Sequence, residues 1–297
     1  MVRGAPRMAE LPLAAQRTAG EHAEDLSATP EGVRYDTVAD RGVAGVWVEA
    51  TDAAPTSTVL YLFGGGHVIT SPRSRHKFAG HLARALDARV LLLDYPLAPE
   101  HPYPQDVEAT VRAARWLLEQ QHVPADRLVL AGESSGGGLV LETLLAAADA
   151  GLPRPAAAYL MSPWADLTCS SASYAARADV DLECSHESLT RMAGQYLDGH
   201  DAADPAVSPV LATPGTVAAA WPPLLVQVGS HEVLLDDSLA VARLAALADV
   251  PVTLDVWPQM QHFFQLGVGV YPEAAAALAR AGAWLQQRWS DGPDLDT

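Results

Sequence analysis

Short aliphatic and β-branched runs alternate along this chain with longer stretches whose apolar residues recur every three to four positions. The runs TVLYLF (58–63), ARVLLLDY (88–95), RLVLAG (127–132), AAAYLMS (156–162), PLLVQVG (223–229) and VTLDVW (252–257) are nearly continuous in apolar character. Such strands lack a polar face and are expected inside a parallel sheet covered on both sides. Ahead of them, GVRYDTV and GVWVEA read as an antiparallel opening pair. Helical periodicity occupies 74–87, 105–121, 136–150, 236–248 and 272–289. The alternation predicts an α/β class with a mostly parallel, doubly wound sheet.

Two segments break the rhythm: residues 1 to about 30, and the stretch from about 165 to 215. An insertion of that length in a sheet protein commonly serves as a lid or binding element. Together they are expected to form a helical cap over one edge of the sheet. No internal repeat or long low-complexity linker divides the chain, so 1–297 is read as a single domain carrying its cap.

The chain has 297 residues, 49% of them hydrophobic, which suffices for one large core. Thirty-six acidic against 19 basic residues give a formal charge of −17. That balance repels polyanions and argues against nucleic acid or an anionic membrane surface as partner. The two cysteines, Cys169 and Cys184, form no C-x-x-C pair, which disfavours a disulfide framework or a structural zinc site. The first 26 residues are interrupted by charge and offer no secretory apolar region. No apolar run approaches the ~20 residues of a membrane span, so a cytoplasmic location is expected.

Against that background the run YLFGGGHV (61–68) stands out, because three glycines end a well-formed apolar strand. Glycine there signals close approach to the backbone. Its purpose could be a tight turn, a phosphate cradle, or amides aimed at a developing negative charge. The phosphate reading is weak: the chain has no G-x-x-x-x-G-K-[ST], and Lys77 is its only lysine.

The run RLVLAGESSGGGLVLETLLAAA reads as strand, sharp turn, helix, and Gly132-Glu133-Ser134-Ser135-Gly136 makes a G-x-S-x-G turn. In that setting the central serine is held on a strained elbow with its hydroxyl exposed, which marks Ser134 as a nucleophile. A base and an orienting acid should follow in chain order. Of the later histidines, His186 and His200 lie in the expected cap, and His231 follows PLLVQVG where the acid belongs. His262, in the loop WPQMQHFF after the last strand, occupies the base position. For the acid, Glu232 lies nearest its strand end, with Asp236 as the alternative; Asp236 and Asp237 also read as charges at a helix N-terminus. The glycine run then reads as amides for an oxyanion hole.

These residues resemble the bacterial carboxylesterases of the hormone-sensitive-lipase-like group, within the α/β-hydrolases. The matching stretches are GGG after the third strand, DYPLAPEHPYP (94–104), GESSGGG (132–138), LMSPWADL (160–167), VGSHEVLLDDS and WPQMQHFF, in that order over about residues 30–290. The resemblance implies Ser134, Glu232 and His262 as the triad, with an oxyanion hole from the amides of Gly65, Gly66 and Ser135. It implies no metal or cofactor, a small-molecule ester as substrate, and acyl and alcohol pockets formed by the cap. A homodimer is compatible with it.

The departures are specific. The group usually writes His-Gly-Gly-Gly-aromatic, whereas this chain has Phe63 before and His67 after the glycines, as though the two had exchanged places. Phe63 is expected in the core, and His67 is expected to face the substrate pocket. Pro96 stands where the group usually has Arg, and Ser135 where Ala is common. The expected activity is hydrolysis of small acyl esters through an acyl-enzyme, as in a deacetylase or lactonase of secondary metabolism. The alternative, a non-hydrolytic cyclase or lyase in the same pocket, rests on FGGGH alone.

Overall fold

The computed structural model describes residues 11–290. Its centre is an eight-stranded sheet. The strands are β1 (Val33–Asp40), β2 (Val43–Ala50), β3 (Ser57–Leu62), β4 (Ala88–Leu93), β5 (Leu128–Glu133), β6 (Ala157–Met161), β7 (Leu224–Gly229) and β8 (Val252–Trp257). They are ordered β1-β2-β4-β3-β5-β6-β7-β8. β1 and β2 form the antiparallel opening pair, β2 runs antiparallel to β4, and every later pairing is parallel.

Burial follows the hydrophobic pattern. Every residue of β3, β5, β6 and β7 is buried, while the edge strand β1 is mostly exposed. Covering both faces are α2 (His76–Leu86), α3 (Gln105–Glu119), α4 (Ser135–Asp149), α8 (Leu235–Leu247) and α9 (Pro272–Ser290). These boundaries fall within two residues of the periodic stretches, because two-sided burial demands apolar strands and one-sided burial demands amphipathic helices. The parallel register also aligns the strand ends: Leu62 faces Gly132, Glu133 faces Met161, and Gly229 faces Trp257. The loops after β3, β5, β6, β7 and β8 therefore leave the sheet at one edge, the carboxyl edge where α/β sheets bind ligands.

The two arrhythmic segments lie beside that edge. Within 165–215 are α5 (Ser173–Ala176), α6 (His186–Leu197) and a 3₁₀ turn (Pro209–Leu211), with α7 (Pro214–Ala220) bridging back to β7. Here a second apolar cluster, including Val68, Trp164, Leu189, Ala193, Tyr196 and Leu234, is separate from the main core. At the other end, α1 (Leu13–Glu21) is fastened by Arg17. Its guanidinium donates to the carbonyls of Val68 and Ala98 and pairs with Glu100 at 2.6 Å. The part of the cap expectation that falls on residues 1–10 lies outside the described residues.

Asp236 and Asp237 sit in the first turn of α8, as expected of charges at a helix N-terminus, while their side chains reach out to another segment. Asp236 accepts from the Ser173 amide at 2.8 Å, and Asp237 from the amides of Ala165 and Asp166 at 2.9 and 3.0 Å. Their partners are the orphan backbone donors of an irregular segment, which has no ladder of its own to satisfy them.

Candidate active site

The chain climbs β5 and turns at Ser134 with φ 56° and ψ −128°, a conformation that a non-glycine residue holds only under constraint. The constraint is visible. The Ser134 amide donates to Met161 O at 2.9 Å, and its carbonyl accepts from Gly137, Gly138 and Trp164. The turn also needs Gly136: a Cβ there would lie 2.2 Å from Leu62 O, so the elbow can sit directly against the end of β3. Ser134 is thus carried between two strand ends, at the start of α4, with 8% of its surface exposed.

The loops after β7 and β8 bring the next two residues together. His262 Nδ1 lies 2.9 Å from Glu232 Oε2. Glu232 is fully buried, and its other oxygen accepts from the Gly229 amide at 2.6 Å and the Ser162 hydroxyl at 2.9 Å. Ser162 in turn accepts from the Phe263 amide at 3.2 Å, which ties the acid to the histidine loop. Glu232, not Asp236, is the carboxylate on the imidazole. His186 and His200 lie elsewhere, against Tyr174 and Asp204 respectively.

Burial acts to lower the His262 pKa, but Cys184 and Glu232 outweigh it and hold the pKa well above the usual imidazole value. Burial also pushes the Cys184 thiol up. Cys184 belongs to the inserted segment, and nothing in its local sequence signals a place beside His262.

The glycine loop runs against the elbow. A side-chain carbon on Gly64 would fall 2.8 Å from Ser134 Cβ, and Gly66 has φ 62°. On Gly66 a Cβ would meet Met192 Sδ at 2.2 Å, so α6 roofs this loop. The loop is pinned by Glu133, a residue the sequence reading passed over. Its carboxylate accepts from the Gly64 amide at 2.6 Å, from Tyr61 at 2.7 Å and from Arg75 at 2.6 Å. Glu133 is fully buried and Arg75 nearly so. An acid closing the apolar run LVLAGE was the available signal, since a buried carboxylate requires partners.

Phe63 is in the core as expected, stacked on Tyr95 with ring centroids 4.3 Å apart. His67 is not where it was expected. Rather than facing a pocket, its ring is 1% exposed, bonded through Nδ1 to Asp106 at 2.9 Å and stacked on Tyr196 with centroids 3.8 Å apart. Positive φ of 61° at His67 turns the side chain inward, between the glycine loop and α6. The exchange in FGGGH therefore concerns the scaffold, and the non-hydrolytic alternative loses its only support. Ser135 is fully buried too, and its hydroxyl accepts from the His67 amide at 3.1 Å.

No group of three or more His, Cys, Asp or Glu suited to a metal ion occurs among the described residues. Nor is any helix among them long and apolar enough to cross a membrane.

Residues 59–266 match the alpha/beta hydrolase fold family. An acetyl-hydrolase of Streptomyces hygroscopicus is 43% identical over 235 residues, covering 79% of this chain and 77% of its own. An esterase of Acinetobacter venetianus is 36% identical over 239 residues, covering 80% and 77%. Among solved structures, an esterase of the bacterial hormone-sensitive lipase family superposes with TM-score 0.89 at 37% identity, covering 96% of this chain and 93% of its own. An esterase/lipase from an uncultured bacterium gives 0.88 at 38%, covering 97% and 95%.

Proposed function

We propose, for a chain that belongs to the alpha/beta hydrolase fold family and is a serine carboxylesterase of its hormone-sensitive-lipase-like branch, that Ser134, His262 and Glu232 carry the reaction on short acyl esters. The observation that carries this reading is the His262–Glu232 bond of 2.9 Å, with Glu232 itself fixed by Gly229 and Ser162. A carboxylate so held fixes the imidazole tautomer and leaves Nε2 as the acceptor for a serine proton.

Ser134 Oγ attacks the ester carbonyl as His262 Nε2 takes its proton, and Glu232 balances the imidazolium. The carbonyl oxygen becomes an oxyanion received by the amides of Gly65, Gly66 and Ser135. Collapse breaks the bond to the alcohol oxygen, which leaves with the proton from His262. Water, deprotonated by the same imidazole, then attacks the acyl-serine and returns the enzyme. Preorganised amides of this kind are usually the largest single contribution, and losing one donor costs about 10²–10³ in kcat.

The preference for short acyl groups is supported by the roof over Gly66 and by the acetyl-hydrolase relative. The segments α1 and 165–215, with Arg17, Asp236 and Asp237 as their fastenings, are read as the cap of a single domain. A serine-directed organophosphonate followed by peptide mass spectrometry tests the nucleophile. The increment should fall on the peptide bearing Ser134, and Ser134→Ala should abolish both it and hydrolysis of p-nitrophenyl acetate. Labelling on another residue, or unchanged turnover in Ser134→Ala, would sink the assignment.

A further inference from the structure

Four polar side chains from four segments meet under α6: His67, Asp106 of α3, Glu142 of α4 and Tyr196 of α6. None is more than 2% exposed. Asp106 accepts from the Val107 amide at 2.8 Å and faces His67 Nδ1 at 2.9 Å. Tyr196 Oη stands 3.0 Å from Asp106 Oδ1 and 2.9 Å from Glu142 Oε2. A phenol has one hydrogen, so it can donate across only one of those contacts. For both to be hydrogen bonds, one of the two carboxyls must carry a proton. Asp106 already faces a donor at each oxygen. Glu142 has none but Tyr196 among the described residues, and burial, then the charge of Asp106, raises its pKa well above the usual carboxyl value. The alternative placement of the proton, on His67 Nε2, would give that buried and unpartnered nitrogen a hydrogen with nowhere to go.

We propose that Glu142 holds this proton, that Tyr196 is thereby a positioning residue clamping α6 onto the glycine loop, and that loss of the proton sets an alkaline limit to catalysis. The proposal rests on the reading that the Gly65, Gly66 and Ser135 amides receive the oxyanion. The mechanical path is short. Tyr196 stacks on the His67 ring, and the His67 amide is bonded to Ser135 while its carbonyl accepts from Ala98 at 2.9 Å. The titratable groups facing Glu142 are Asp106 and Tyr196, with Tyr95 and Tyr103 close enough to feel its charge and His67 beyond Asp106. When Glu142 ionises, two carboxylates compete for one phenol hydrogen and repel each other, and the clamp opens.

The sign for stability is set by the same proton. Between the ordinary carboxyl pKa and Glu142's raised one, the folded state binds one more proton than the unfolded. This group's contribution to stability therefore falls as pH rises through that window.

The test is kcat and KM for p-nitrophenyl acetate against pH in the wild type, Glu142→Gln and Tyr196→Phe, with melting temperatures and infrared difference spectra. The wild type should show an alkaline fall in kcat, accompanied by loss of a protonated-carboxyl stretch. Glu142→Gln, whose amide keeps a hydrogen for Tyr196 at every pH, should lack both the stretch and the fall while retaining the acid limb. Tyr196→Phe keeps the ring stack, so its loss should appear in kcat more than in KM. An alkaline fall unchanged in folded Glu142→Gln overturns the proposal, as does a wild-type kcat that stays flat until the protein unfolds. Should Glu142→Gln not fold, the wild type decides: a carboxyl stretch that persists through the fall in kcat overturns it. If the protein hydrolyses no ester, the active-site reading fails, while the stretch and the pH dependence of melting still judge the network.

Discussion

Glu133 illustrates how one side chain can serve stability and geometry together. Its carboxylate is shared by the Gly64 amide, Tyr61 and Arg75, all of them buried. Removing one partner of a buried ion pair costs about 3–5 kcal/mol, because the other charge is left uncompensated. Glu133→Ala is therefore expected to lower stability by about that amount in urea unfolding. Its kcat should also fall, since the glycine loop loses its anchor. A variant with wild-type midpoint and kcat would remove Glu133 from both roles. Glu232→Gln belongs at the same scale: a neutral amide cannot balance the imidazolium, and kcat should drop by orders of magnitude, about 10⁴ in a comparable triad. Asp236→Asn should leave kcat nearly unaltered, because that residue faces the Ser173 amide and not the imidazole. The reverse ranking in steady-state kinetics would move the acid.

His262 adds a pH dependence. Its folded pKa is raised, so the stability it gains from Glu232 is fully present below the ordinary imidazole pKa and fades as pH rises through the folded value. Activity runs the opposite way, since a base must be unprotonated. The acid limb of kcat/KM should accordingly lie above the ordinary imidazole pKa and move down in Glu232→Gln. An acid limb at or below that value in the wild type would contradict the raised pKa.

Among the elements, α6 decides most. Its face carrying Leu189, Met192, Ala193 and Tyr196 follows helical spacing and turns toward the sheet edge. Met192 lies over Gly66, and Tyr196 over His67 one turn later. Met192 is half-buried and unbranched, and shortening it to Ala would open space beside the glycine loop. Met192→Ala is expected to shift kcat/KM from acetate toward butyrate and hexanoate esters of p-nitrophenol. An unaltered chain-length profile would show that α6 does not bound the acyl site.

At the scale of the whole molecule, the parallel sheet gathers chemistry from distant parts of the chain at one edge, while the surface carries the charge. A formal charge of −17 should keep the protein off anionic lipid vesicles at physiological salt. Co-sedimentation with phosphatidylserine vesicles checks this, and binding under those conditions would mean a local basic or apolar patch overrides the net charge.

The sequence by itself determined the sheet, its covering helices, and the places of Ser134 and His262 in the turns that follow β5 and β8. Those properties are local in origin: two-sided burial writes continuous apolar strands, and a strained turn admits only small neighbours around Ser134. Even Phe63 could be placed, because an aromatic closing an apolar strand has few destinations outside the core. The tertiary structure alone decided between Glu232 and Asp236, since both follow the same strand end within seven residues and only the course of 165–173 consumes the second. It also turned His67 inward, set Cys184 against His262, and joined Asp106, Glu142 and Tyr196 into one cluster. Each of those contacts links residues 39 to 129 positions apart. A hydrogen bond between distant side chains leaves no periodicity in the chain, and it exists only once the sheet has brought the strand ends together.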